Sequence, residues 1–548
     1  MLKKSVVKGK TYYTIVESKR VNGQPRHITL KHIGTAKKLF ELLLKEDQQT
    51  LDALNIQGVK DHGDTGVLFH VAKMLDLPEI INNHIYKGGG LDVGKVTTLL
   101  AINRCIEPSS KNQMADWYRQ TTLDEYIGIP DDKVTSQNLC STLDYFYQNG
   151  DSTIISIQKD ILGRLKELFN ISPEAIYYDL TSTYFEGSKC RLAKFGYNRD
   201  GLRDKLQINI GLLVTKEHCF PLTHLVFEGN IADISTVKTM IHQITDGFVQ
   251  KDTLMVFDRG MVSKDNLEEF DAAELQFITA LKKTKEVKAL LDNLHWDQNA
   301  GAENRVELMN SGTVYYLQHA ILPLYGKERS LVFCYNPACA EDLKKVRDGK
   351  IRTVELELTQ YQEKLQKGNH SKVNTVHAHI VKIVKRAKSF FQFRVLEDCE
   401  KVTFSFEKID QKIANAEKYD GKTVLIASQT NLSPKEIVTA YFEKDAIEKA
   451  FACLKGPLEL RPIRHWNEKR VKSHVFVCYL SFLLMKTFSY LLKSHGISLS
   501  PEKALKSLNR LKSVSFSSPD GSTKREFVTP NDLQKEMMEI VKMDYLNP

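Results

Sequence analysis

The sequence lacks the spacing that builds a zinc site. Its nine cysteines are scattered and odd in number, with no Cys-x-x-Cys pair and no Cys/His cluster, which excludes a metal-stapled fold and favours free thiols in a reducing cytosol. It also lacks a long apolar run. The longest, residues 475–484, is about half a membrane span and runs into Met485 and Lys486, so a buried helix is expected there. The basic N-terminus, MLKKSVVKGKTYY, has no apolar stretch behind it, which argues against a signal peptide. No internal repeat, low-complexity segment or helix-turn-helix register stands out.

What is present is an ordinary globular composition, 42% hydrophobic and 26% charged over 548 residues, long enough for about three or four domains. Lys and Arg number 77 against 68 for Asp and Glu, a net charge of +9. That excess suits a polyanionic partner without requiring one.

Along the chain, residues 11–34 alternate around Asn22-Gly23, a basic β-hairpin signal that bounds a first segment, 1–37. Residues 38–170 carry helical spacing and are expected to form a helical domain, a candidate for DNA binding. Within them Arg104, Pro108, Ser109, Ser110 and Lys111 read either as an ordinary helix start or as a seat for a phosphate. The texture changes after Ser172. Strands are expected over 174–185, 207–214, 221–229, 253–258 and 276–282, with helices over 233–248 and 264–274. Three strands, then helix, strand, helix, strand, is the order of a mixed sheet with helices on its faces, filling residues 171–282. A basic connection, Lys189 to Lys205, tracks a DNA backbone or is a solvated loop. Glu228 and Asp233, either side of Gly229-Asn230, read as turn and helix-cap residues. Residues 283–430 interrupt the pattern as an inserted β-rich domain with a long helix. Residues 431–492 return to the core, and 493–548 form a C-terminal helical region.

Residues 433–457 read as one helix. Ser433 is its N-cap, Glu436 closes a capping box, and Gly456-Pro457 stop it. At about 100° per residue, Ile447, Ala450, Phe451 and Leu454 share one arc, while Tyr441, Lys444, Glu448 and Lys455 fall within an arc of roughly 60° elsewhere. A solvated, salt-bridged face has the same look. Two earlier carboxylates change the weighing. Asp179 lies within the first core strand, on the face of Tyr177 and Thr181, and Asp258 lies at the end of the fourth. Ligands in such sheets sit beyond the carboxyl ends of parallel strands, so the two converge if those strands are neighbours. Three clustered carboxylates suit hard divalent cations, and a pair of such ions can drive phosphodiester chemistry. Trp117, Trp296 and Trp466 are assigned to cores rather than to base stacking.

The blocks IYYDLTSTYFEG, FEGNIAD, VFDRGMVS and YFEKDAIEKAFACLK resemble those of bacterial insertion-sequence transposases of the DDE class. In the branch with a β-strand-rich insertion, the last block carries a Tyr-x2-Arg-x3-Glu-x6-Lys signature, here Tyr441, Lys444, Glu448 and Lys455. Lysine in place of the arginine keeps the charge but loses the bidentate fork for phosphate. The resemblance, over residues 172–484, implies an α/β fold with a ribonuclease-H-like, five-stranded mixed sheet, helices on both faces, an inserted α+β domain and a helical N-terminal region. It implies Asp179, Asp258 and Glu448 as catalytic metal ligands for Mg2+ or Mn2+, with two ions, and Tyr441, Lys444 and Lys455 as DNA contacts, to which Arg259 is added beside Asp258. The partners implied are double-stranded inverted-repeat ends and target DNA, bound by a homodimer in a synaptic complex, without a membrane, in the bacterial cytoplasm at the nucleoid. The rival readings are a ribonuclease-H-like nuclease that cuts without joining, and a catalytically silent DNA-binding descendant.

Overall fold

The computed structural model describes the chain apart from residues 22–23, 39–54, 148–149, 203, 295, 297–303, 310, 369–371, 399–400, 518–521 and 545–548. It divides into two compact units. The first comprises Met1–Met74, Ser109–Leu139 and Phe488–Pro548, and the second Leu75–Pro108 and Cys140–Thr487.

In the first unit, strands Lys10–Val21 and Gln24–Thr35 pair antiparallel as the hairpin pattern predicts, and Leu2–Val7 adds a third strand. The turn residues of the hairpin lie outside the described residues. A second sheet, Thr523–Phe527, Lys512–Ser517 and Asn55–Asp61, joins chain ends far apart in sequence. Neither 38–170 nor 493–548 is therefore purely helical: Asn55–Asp61 finds its partner in Lys512–Ser517, which pairs on its other side with Thr523–Phe527. Beside this sheet Asp64 is buried, its carboxylate accepting from Asn509 Nδ2 at 2.7 Å and the Thr65 N–H at 2.8 Å. Burial pushes its carboxyl up to about 6 against these bonds.

The second unit is organised on one large mixed sheet. Its core strands are β1 (Ala175–Tyr184), β2 (Gln207–Thr215), β3 (Pro221–Glu228), β4 (Leu254–Phe257) and β5 (Gln276–Ala280). β2 is antiparallel to both β1 and β3, whereas β4 is parallel to both β1 and β5. The expected five-stranded sheet is too small. The insertion adds β6 (Arg305–Glu307), β7 (Val314–Leu324), β8 (Lys327–Tyr335) and β9 (Lys422–Ala427), giving nine strands in the order β6-β7-β8-β9-β5-β4-β1-β2-β3. One reason is visible on β8. Arg329 is 2% exposed, is ion-paired with Asp271 of the core, and lies over the Phe277 ring of β5 at 5.1 Å. A buried cation with that partner fastens the insertion to the sheet.

Helices cover both faces. Ile176, Tyr178 and Leu180 of β1 pack in one core with Val237, Met240 and Ile244 of α1 (Asp233–Thr245) and Leu267 and Phe270 of α2 (Lys264–Ala272). The rest of the insertion builds its own small core. There α3 (Pro337–Gln366) and α4 (Val373–Val384) pack on the hairpin Phe391–Asp398 and Lys401–Lys408 through Val354, Leu358, Ile380, Phe391 and Phe404. Residues 433–457 are two helices instead of one: α5 (Pro434–Phe442) and α6 (Asp445–Lys455). The capping box of Ser433 and Glu436 is present, and Gly456 ends α6 as predicted. α5 lies against β4, β5, β7, β8 and β9, and α6 against β1.

Helix Glu468–Ser494, which contains residues 475–484, is the one described helix long and apolar enough to cross a membrane. Its apolar window is 83% buried within the protein. Eight described cysteines form no disulfide. Of the tryptophans, Trp117 is buried, but Trp466 is 65% exposed and belongs to no core. Arg104 ends a helix, Val93–Ile106, and Ser109 and Ser110 lie in the connection after it, so the expected helix start is a helix end.

Candidate active site

The register of the two parallel strands decides where the first two carboxylates fall. Tyr178 of β1 stands opposite Phe257 of β4, so Asp179 and Asp258 follow at the same level on neighbouring strands. The alternation of β1 buries Tyr178 among apolar side chains and turns Asp179 to the other face, where α6 packs. Asp258 is the residue that ends β4: its side chain accepts from the Gly260 N–H at 3.3 Å and starts a short 3-10 turn, Arg259–Met261.

Lys444 lies on this pair. Its Nζ donates to Asp258 Oδ1 at 2.7 Å and sits 4.8 Å from the centre of the Tyr441 ring, while the Tyr441 hydroxyl is 3.5 Å from the same oxygen. Burial pushes the Asp179 carboxyl up to about 6, and the charge of Asp258 adds to this. The Leu180 N–H, bonded to Asp179 Oδ1 at 2.8 Å, Lys444 and Arg199 oppose it. Burial acts on Asp258 in the same direction. There the Lys444 charge and hydrogen bond, with Gly260 and Arg259, outweigh it and hold the carboxyl below its ordinary value. Two adjacent carboxylates thus differ in proton affinity because one holds an ammonium and the other does not.

The helix break falls between these contacts. Phe442, the last residue of α5, stacks on Tyr315 of the insertion with ring centres 4.3 Å apart, and Lys444 is tied to Asp258. Glu443 and Lys444 take ψ near zero, −3° and −4°, and no proline or glycine marks the place. Glu448 lies in the first turn of α6 with its side chain exposed. Among the described residues no three of His, Cys, Asp and Glu come together closely enough to hold a metal ion, so Asp179 and Asp258 are assembled and Glu448 is not. The remaining signature lysine is nearly buried. Lys455 donates to both oxygens of Asp200 at 3.1 Å, and Arg461 reaches the same carboxylate at 2.5 Å. Arg259 is exposed beside Asp258.

Comparison with known proteins supplies the family. The Transposase DDE domain family matches residues 172–484, more than half of the chain, and the N-terminal domain of IS1634 family transposases matches residues 2–56. The chain is a DDE transposase. No curated protein matches it. Among solved structures, the piggyBac transposase synaptic complex with hairpin DNA is a distant likeness, at 8% identity and a TM-score of 0.41 over 81% of this chain and 78% of that one.

DDE transposases act on DNA and generally use divalent metal ions. The donor set of this transposase fits such ions: it is all carboxylate oxygen, and the Lys444 ammonium on Asp258 stands where a cation is wanted. Sequence reasoning missed two neighbours of the pair. Asp233 opens α1 but makes no capping bond; Ala232 is the cap, and the Asp233 carboxylate accepts from Arg199 Nη2 at 2.7 Å on both oxygens. A Cβ added to Gly260 would lie 3.4 Å from Asp233 Oδ2 and 3.6 Å from Asp258 Oδ2, so Asp233 borders the site. Arg199 was one of several cations in a basic connection. The run Asn198-Arg199-Asp200-Gly201, with turn-forming residues flanking an ion-pairing couple, was the available signal.

Proposed function

We propose that this transposase binds the terminal inverted repeats of its own insertion sequence as a homodimer, in the bacterial cytoplasm at the nucleoid. There it cuts and joins DNA strands at a site formed by Asp179, Asp258 and Glu448. The core order β3-β2-β1-β4-β5, with only the last three strands parallel, supports a ribonuclease-H-like reading of that core. The observation that carries the proposal is the side-by-side placement of Asp179 and Asp258 with a cation already on one of them.

In this reading Asp179, Asp258 and Glu448 hold two Mg2+ or Mn2+ ions. Such ions, when bound, activate the attacking oxygen and stabilise the leaving one. The protein's own groups position the DNA. Lys444, leaving Asp258, is free to meet a phosphate; Tyr441 is buried to support it, and exposed Arg259 attracts the backbone. Glu448, four residues after Lys444 and on a helix of its own, completes the carboxylate set when α6 adjusts to the loaded site. The N-terminal hairpin and the helices after it read the DNA ends.

The experiment combines purified protein, Mg2+, a duplex ending in the element's inverted repeat, and a target plasmid. Repeat ends covalently joined to plasmid are expected. Nicking with no joined product would replace the transposase reaction by that of a nuclease, and binding with neither would leave a silent descendant. Binding to the repeat should also weaken steeply with salt, because phosphate contacts release counterions.

A further inference from the structure

Lys444 stands in the arginine position of the signature, so the site as read from the signature has no guanidinium to grip a phosphate through two parallel bonds. We propose that Arg199 supplies that fork and binds the scissile phosphate beside Asp179 and Asp258. The inference rests on the functional reading above and names a residue outside its signature.

The connection from β1 to β2 holds Arg199 in a fixed place. Lys194 and Gln207 exchange backbone hydrogen bonds at 3.0 Å each, and Gln207 Nε2 donates to the carbonyls of Tyr197 at 3.1 Å and Gly229 at 2.9 Å. A Cβ on Gly196 would lie 2.0 Å from the Gly229 oxygen, and one on Gly229 would lie 1.9 Å from the Gln207 oxygen. The chain therefore passes here in backbone-to-backbone contact that no side chain can enter. Asn198 Oδ1 then accepts from the N–H groups of Asp200 and Leu202 at 2.8 and 3.2 Å, shaping the turn. The Arg199 N–H donates to Ser182 Oγ at 3.1 Å. Ser182 is fully buried on β1, three residues after Asp179, so the arginine is anchored to the strand that carries the first carboxylate.

The side chain is anchored by one nitrogen. Both bonds to Asp233 use Nη2, which leaves Nη1 and Nε without a partner among the described residues, and a quarter of the side chain is exposed. Asp233 is next to Asp258 across Gly260, and the Arg199 charge acts on Asp179. A planar guanidinium with two nitrogens unengaged, held at the edge of paired carboxylates, presents the geometry that bidentate phosphate recognition requires. The following residue, Asp200, holds Lys455 and Arg461, so one turn links the arginine to the signature lysine. If Arg199 merely neutralised Asp233, lysine would serve there, and removing both partners together would be harmless to the chemistry.

The test is single-turnover cleavage of saturating repeat-end DNA with Mg2+ by full-length wild type, Arg199→Lys and the double variant Arg199→Ala/Asp233→Ala, alongside end-binding affinity and melting temperature. Loss of a charge-assisted bidentate contact is expected to slow Arg199→Lys roughly 10- to 100-fold. The double variant should stay at least as slow, with melting and end binding nearly unchanged. Cleavage by Arg199→Lys at the wild-type rate, recovery in the double variant, or a fall in rate that only follows a fall in melting temperature would overturn the proposal. Wild type that leaves the ends uncut would instead refute the functional reading beneath it.

Discussion

Replacing Lys444 by glutamine removes the cation that occupies Asp258, and the consequence is measurable without DNA. The bond is 2.7 Å long between side chains 19% and 42% exposed. A hydrogen bond between charged groups contributes roughly 1.5–3 kcal/mol, but Asp258 is more than a third exposed and solvent screens it, so about 1 kcal/mol is reasonable. Without divalent ions the variant should therefore melt slightly earlier. With them the gap closes, because an ion no longer competes with an ammonium for Asp258. About 1 kcal/mol less competition corresponds to roughly fivefold tighter binding. Melting curves across a Mg2+ titration read this directly, since a ligand specific for the folded state raises stability as RT ln(1 + [L]/Kd). The Mg2+ midpoint of Lys444→Gln should fall about fivefold below that of wild type. Equal midpoints, or weaker binding by the variant, would refute the idea that Lys444 stands in for a metal ion.

Asp64 in the first unit gives a pH signature. Its carboxyl is raised from 3.8 to about 6 in the folded chain, so as pH falls from about 6 toward 3.8 the native state takes up a proton that the unfolded state does not, and its contribution to stability increases. The gain is about 3 kcal/mol at most. Urea midpoints of wild type minus Asp64→Asn should rise over that window and stay flat above about pH 7; a flat difference throughout would contradict the burial argument. Gly229→Ala places a Cβ 1.9 Å from the Gln207 carbonyl oxygen and should cost at least about 1–3 kcal/mol, seen as lower melting together with slower cleavage. Unchanged melting would mean that the β1–β2 connection is not held by that contact.

The core was legible because its strands are short apolar or alternating runs with turn signals between them. β2, every residue of which is buried, and β4, bounded by Thr253 and Asp258, fall within a residue or two of the expected limits. The capping box at Ser433 is a local rule and appeared as read. What escaped depends on partners distant in sequence. The insertion continues the sheet because Ser330 to Tyr335 pair with Lys422 to Ala427, and nothing within either run announces the other. The break after Phe442 is set by Tyr315 and Asp258, neither of them local. Asp233 looked like a cap because an acidic residue at a helix start usually is one; its carboxylate is instead taken by Arg199. Of the proposed site, the neighbouring placement of Asp179 and Asp258 followed from strand order and position, whereas Glu448 entered only through the signature and stands apart from the pair.

The central claim is that Asp179, Asp258 and Glu448 act together in one metal-dependent reaction on DNA. Cleavage of inverted-repeat duplex in Mg2+ by wild type, Asp179→Asn, Asp258→Asn and Glu448→Gln tests it most directly, with end binding measured in parallel. The account predicts that each substitution lowers the cleavage rate by at least about a hundredfold while repeat binding persists. Glu448→Gln cutting as fast as wild type would remove the α6 carboxylate from the site, and equal activity in all four proteins would contradict the account.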